Sequence, residues 1–120
     1  AVGDGGRHQV KYDGQLMGMQ ARPLTLRRES ADAAGPWMLC GSLCTTADVL
    51  VREAQLPPLC VGDVIALGRC GAYSVTEGVS VFLSRDMPRV ALYRDGAFTL
   101  VRDRFATDVL NTCQTLEDGK

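Results

Sequence analysis

A cysteine that ends an apolar run and opens a polar turn is a candidate proton donor or nucleophile. Cys44 is such a residue: it follows the run 37–43 and precedes Thr45-Thr46-Ala47-Asp48. A thiol at a strand end can face a cleft instead of the core. A free thiol titrates near ~8.5, so it holds a proton at neutral pH, and it attacks as thiolate where its surroundings lower that value. The plain alternative is a buried thiol with no role. Asp48 either orients a substrate or caps the turn with its carboxylate. Tyr73 follows Gly71-Ala72. A phenol there can donate to a phosphate oxygen or to a backbone partner, or it is an ordinary half-buried tyrosine. His8 is the only imidazole. No Ser-His-Asp arrangement surrounds it, and a lone histidine is more often a surface or satisfied core group. Asp4-Gly5-Gly6 lacks the lysine and the spacing of a phosphate-binding loop. Cys40 and Cys44 have no second cysteine pair at ligand spacing, so no metal site is expected.

The elements that must hold these groups read mainly as β. Thirteen Gly and five Pro punctuate short apolar runs, as in a sheet or barrel with many turns. Residues 9–12 and 15–19 read as strands around Asp13-Gly14, a hairpin signal. Residues 24–28 alternate apolar and polar, and 29–35 read as a surface loop. The apolar run 37–43 predicts a strand buried on both sides. Residues 45–51 read as a short turn followed by a strand. Pro57-Pro58 bars a central strand over 55–62. Gly62-Asp63 reads as a turn that launches a short buried strand, 64–67. Val75, Val79 and Phe82–Leu83 follow a helical period, so 74–84 predicts a helix, weakened by Gly78. Residues 89–94 and 97–102 form a second hairpin around Asp95-Gly96. Residues 105–111 predict a short closing helix, and 115–120 a frayed end.

The chain has 120 residues, enough for one domain. Apolar residues make up 46% and charged residues 22%, with thirteen basic against fourteen acidic side chains. That near-neutral balance argues against nucleic-acid binding, which needs a basic excess. No apolar run of about eighteen residues predicts a membrane span. The first residues lack the basic and apolar regions of a signal peptide. Five cysteines, an odd count, suit free thiols in a reducing cytoplasm.

Three segments in order carry a resemblance: Gly41-Ser42-Leu43-Cys44-Thr45-Thr46-Ala47-Asp48, Gly62-Asp63-Val64-Ile65 and Gly71-Ala72-Tyr73. Their order and spacing resemble the fold-type III, pyridoxal-phosphate-dependent decarboxylases, which act on diaminopimelate, ornithine or arginine. The likeness is to the C-terminal domain of the diaminopimelate-decarboxylase group and covers roughly residues 1–112. The resemblance implies a mainly β, Greek-key-like barrel with one or two short helices, like the C-terminal domain of alanine racemase. It implies that residues 1–120 are a single C-terminal domain of a larger enzyme. The N-terminal (β/α)8 barrel, which carries the cofactor lysine, would lie outside this chain. The active site would then lie at a homodimer interface, facing the barrel of the second subunit.

The resemblance also assigns roles. Cys44 matches the cysteine that protonates the substrate carbon after carbon dioxide leaves. Tyr73 matches the tyrosine on the cofactor phosphate, and Asp48 an aspartate near the site. Thr45 stands where the family has Asp or Glu to read a distal amine. His8 stands where the family has an arginine for a substrate carboxylate, and Ser42 replaces a usual proline. The resemblance therefore implies a cytoplasmic lyase with pyridoxal 5'-phosphate as cofactor and an amino acid as substrate. The alternative is a non-catalytic homologue that binds a protein partner.

Overall fold

The computed structural model describes residues 1–11, 23–25, 32–68, 70–74 and 76–113. The centre is an antiparallel pair, β2 (Gly35–Cys40) and β3 (Val49–Leu56). Trp37 pairs with Ala54 and Leu39 with Val51, so two steps along β2 match three along β3. The extra residue is a β-bulge, and it leaves Arg52 and Glu53 both exposed. Val51 and Ala54 thereby share the inner face although two residues, Arg52 and Glu53, separate them. With Leu39 and Leu56 they form the buried core, against which Trp37, Leu50, Leu59, Ile65, Leu67 and Cys70 pack. Each such aliphatic side chain contributes about 1.5–3 kcal/mol on burial.

Two further antiparallel pairs complete the sheet structure. β1 (Pro23–Thr25) pairs with β4 (Ile65–Leu67), and β5 (Val90–Arg94) pairs with β6 (Ala97–Arg102). The strand content agrees with a mainly β domain. Among the described residues the strands pair two by two and do not close into a barrel.

Several sequence expectations hold. The β5–β6 turn is Asp95-Gly96, with φ of +51° and +80°, the left-handed pair of a type I′ hairpin. β3 ends at Leu56, just before Pro57-Pro58. Gly62 adopts φ +98° in the turn before β4, and a turn over 46–47 precedes β3.

Others are corrected. The run 37–43 is not a strand buried on both sides: the strand stops at Cys40, with Leu39 inside and Met38 outside. It stops because the chain at Gly41 lies against the Asp48 carboxylate and the Gly6 backbone, where a Cβ would collide with both. The helix expected over 74–84 is absent among the described residues. Two single 3-10 turns stand there, Ala72–Ser74 and Phe82–Ser84. Gly78 between them presses on the Arg7 carbonyl, 2.8 Å from where a Cβ would sit. Leu83 and Ser84 take φ of +54° and +51°, which no right-handed helix accommodates. The closing helix shrinks to a 3-10 turn, Asp108–Asn111. Residues 9–11 form a turn and an extended connection instead of a strand. Their expected hairpin partner 15–19, the end of the strand expected over 24–28 and the frayed end 115–120 lie outside the described residues.

Candidate active site

The site is built on a strap, residues 4–11, that runs between two loops. Upstream of it, Val2 bridges in parallel to Cys40 at the end of β2, with Gly3 N–H donating to the Cys40 carbonyl at 2.8 Å. The strap then passes the loop 41–48, where the chain turns back from β2 into β3. Gly41 N–H closes that loop by donating to the Asp48 carbonyl at 2.8 Å, and Asp48 N–H donates to the Thr45 carbonyl at 3.1 Å. Inside the loop lies the Asp48 carboxylate, with the residue only 2% exposed. One oxygen accepts the Leu43 N–H at 2.8 Å and the other the Arg7 N–H at 2.7 Å. Buried carboxylates persist only when so satisfied. The Leu43 side chain is also buried, while Cys44, the next residue, is exposed. The clamp thus turns one residue in and the next one out.

Beyond Arg7 the strap meets the second loop. The Arg7 carbonyl accepts Val79 N–H at 2.8 Å. Lys11 N–H donates to the Ser74 carbonyl at 2.7 Å, and Ser74 Oγ donates back to the Lys11 carbonyl at 3.2 Å. The Lys11 ammonium pairs with Glu77 at 2.6 Å. Tyr73 sits on this 3-10 turn and is 71% exposed. The Cys44 loop, through the Asp48 carboxylate, and the Tyr73 turn, through the Ser74 carbonyl, are therefore fastened to one strap, with the thiol and the phenol exposed.

The expected site residues fall into two groups. Cys44, Thr45 and Tyr73 are exposed. The Thr45 hydroxyl accepts the Ala47 N–H at 3.2 Å and so serves its own turn. Asp48 and His8 are interior, each 2% exposed. Both side chains are enclosed by the chain itself, with the Asp48 carboxylate on the Leu43 and Arg7 amides. Burial, then the charge of Arg85, pushes the His8 imidazole below its usual 6.5, with Asp48 and Asp4 acting the opposite way. Its buried Nδ1 has no hydrogen-bond partner.

Two participants escaped the sequence reading. Ser42 Oγ donates to the Asp4 carbonyl at 2.7 Å and accepts from Arg85 Nη2 at 2.8 Å. The Arg85 contact spans forty-three residues and has no local signal. For Ser42 the signal was its standing in place of proline. Among the described residues no three His, Cys, Asp or Glu side chains gather as a metal ion would need. No helix among them is long and apolar enough to cross a membrane. A cavity of about 750 Å³ lies between residues 1–10, the β2–β3 pair and residues 59–70. Its walls include Val2, Leu39, Leu59 and Ile65, and none of Cys44, Thr45 or Tyr73 lines it. It is a mainly apolar gap beside the core.

A sheet domain that presents a thiol and a phenol from two loops on a common strap is the class defined by this arrangement. Residues 8–71, more than half of the chain, match the family described as pyridoxal-dependent decarboxylase, C-terminal sheet domain, and the chain belongs to that family. It is 37% identical over 83 residues to the diaminopimelate decarboxylase of Methanothermobacter thermautotrophicus, covering 69% of this chain and 18% of that protein. It is 31% identical over 70 residues to the L-glutamyl-[BtrI acyl-carrier protein] decarboxylase of Niallia circulans, covering 58% and 16%. To the 2-[(L-alanin-3-ylcarbamoyl)methyl]-2-hydroxybutanedioate decarboxylase of Staphylococcus aureus it is 42% identical over 50 residues, covering 42% and 12%. A crystal structure of diaminopimelate decarboxylase shares the fold, with a TM-score of 0.74 at 22% identity over 91% of this chain and 28% of that one. The chain thus spans less than a fifth of the length of these curated relatives.

Proposed function

We propose that this chain is the C-terminal sheet domain of a pyridoxal-phosphate-dependent decarboxylase of α-amino acids. In this reading residues 1–120 are one domain of a longer enzyme. Cys44 and Tyr73 complete a pocket whose other wall is an N-terminal barrel domain of a second subunit. The observation that carries the reading is the loop 41–48, clamped from inside by Asp48 so that Cys44 turns outward beside buried Leu43.

The residues present fit the rim of a cofactor site and not its anchor. Lys11 is engaged with Glu77, and in this reading the cofactor-bearing lysine belongs to the barrel. The exposed Tyr73 hydroxyl is a donor suited to the cofactor phosphate. When bound, the cofactor supplies the electron sink that makes loss of carbon dioxide feasible. Cys44 holds a proton on Sγ and delivers it to the substrate α-carbon once carbon dioxide has gone. Asp48 and the strap keep that sulfur at a fixed place relative to Tyr73. All five cysteines are free thiols, which supports a reducing, cytoplasmic setting.

Thr45 bears on the substrate. It brings no charge to the position after the thiol, and a distal ammonium unpaired there would be costly. We therefore assign a substrate whose distal end is neutral or acidic. The relatives' names give three different substrates for one domain type. Thr45 also motivates the second reading, a non-catalytic homologue that binds a protein.

The test uses the longer polypeptide that carries this chain. Cys44→Ala lowers turnover by about 10²–10⁴-fold, the usual weight of a positioned general acid, or diverts it to abortive transamination. Unchanged turnover and products would remove Cys44 from the mechanism. An absent cofactor absorbance band, with no carbon dioxide released from a panel of amino acids, would establish the binding module instead.

A further inference from the structure

We propose that Arg85 is a positioning residue for Cys44, acting on the loop 41–48 through Ser42; this rests on the reading of Cys44 as the proton donor. Arg85 Nη2 donates to Ser42 Oγ at 2.8 Å and to the Asp4 carbonyl at 3.2 Å, with the Asp4 carboxylate at 3.5 Å. Ser42 Oγ in turn donates to the same Asp4 carbonyl at 2.7 Å. One half-buried guanidinium thus ties the strap to the residue two before the thiol. This tie is separate from the Asp48 clamp, which grips Leu43 and Arg7.

Arg85 is itself held at its backbone. Its carbonyl accepts the hydroxyl of Thr107, a residue 1% exposed, at 2.9 Å. The turn that delivers it is strained: Leu83 and Ser84 both occupy the left-handed region without being glycine. Two such residues in succession persist only where surrounding contacts over-determine them, and they cluster at functional sites. Arg85 also lies beyond residues 8–71, the stretch that matches the family. The tie therefore joins residues beyond that stretch to the loop that carries Cys44.

The experiment compares Arg85→Met, Arg85→Lys and Cys44→Ala in the full-length protein. It measures kcat, KM and the rate at which iodoacetamide alkylates Cys44, mapped by mass spectrometry. Arg85→Met lowers kcat about tenfold with KM within about twofold, as expected of a small misplacement of a reacting group. Alkylation of Cys44 speeds up severalfold as the loop loosens. Arg85→Lys, which still donates to Ser42, recovers most of both. Unchanged kcat and alkylation in Arg85→Met overturn the proposal. So does a kcat loss equal in both variants, tracking lower thermal stability with Cys44 alkylation unaltered, because that is a merely structural role. If Arg85→Met fails to fold, Ser42→Ala carries the same readouts. If Cys44→Ala keeps full turnover, the reading of the thiol fails, while the alkylation rates still decide whether Arg85 restrains the loop.

Discussion

The Asp48 carboxylate receives the backbone amide of Arg7 at 2.7 Å across forty-one residues of sequence. Its other oxygen receives Leu43, five residues back. A single buried side chain therefore joins a strap to a loop and sets which way Cys44 points. Asp48→Asn keeps the shape but turns an NH2 toward one of the two amides. It should cost about 1–3 kcal/mol, the penalty of an unsatisfied buried donor. Gly41→Ala attacks the same place from the other side, since the added methyl meets the Asp48 carboxylate and the Gly6 backbone. About 1–3 kcal/mol is expected there too, from overpacking. Because both substitutions break one contact, the double variant should cost less than the sum. Urea unfolding of the 120-residue chain measures all three, and full additivity would show that the clamp is not shared.

His8 makes stability depend on pH. Burial, then Arg85, holds its imidazole below 6.5 in the folded chain. Between that lowered value and 6.5 the unfolded chain binds more protons, so stability rises with pH across this window. The contribution is complete above 6.5 and lost on acidification through the window. Urea midpoints should therefore fall between pH 7 and pH 5.5 in wild type, and fall less in His8→Gln. Asp48 acts to raise the His8 value, so Asp48→Asn should move the imidazole titration, followed by NMR, to still lower pH. A shift to higher pH would contradict the interior arrangement.

Gly96 differs from Gly41 in why it must be glycine. Nothing lies within 4 Å of the Cβ it would carry, but its φ is +80°. Gly96→Ala should therefore cost about 1–2 kcal/mol from backbone conformation alone. Asp95, at φ +51°, is of a type that tolerates this region. Asp95→Gly should be close to neutral. Equal losses at both positions, by urea unfolding, would argue against a type I′ turn.

What the sequence made legible follows from how local each cause is. Asp95-Gly96 was readable because both residues act on their own dihedrals. The stop before Pro57 was readable because proline lacks its own donor. The helix expected over 74–84 does not form among the described residues: the Arg7 carbonyl, far off in sequence, presses on Gly78, and Leu83 and Ser84 within the segment take left-handed dihedrals. At the site, the motif order located Cys44 and Tyr73, both exposed as the proposed chemistry requires. The burial of Asp48 and His8 was not legible, because a polar residue near a motif looks the same whether it faces in or out. Arg85 was invisible, since its partner is forty-three residues away.

The β5–β6 hairpin carries the last prediction. Tyr93 and Phe98 pair across the strands with ring centroids 4.7 Å apart, yet Phe98 is 77% exposed. Leu100, on the same face of the hairpin as Phe98, is exposed as well, and Leu92 and Val101 are exposed on the opposite face. Exposed apolar side chains of this kind on a small domain mark a contact surface, and the match to this chain covers under a fifth of its curated relatives. Under the proposed function, an N-terminal barrel or a second subunit is the expected cover. Without them, the 120-residue chain should associate with itself, and sedimentation should show an average mass that rises with concentration. Phe98→Lys should push that association to higher concentration. Added salt should not dissolve it, since the contact is apolar; salt would weaken exposed pairs such as Arg89 and Asp103, at 2.8 Å. A monomer at every concentration reached would mean that the hairpin's apolar side chains need no cover.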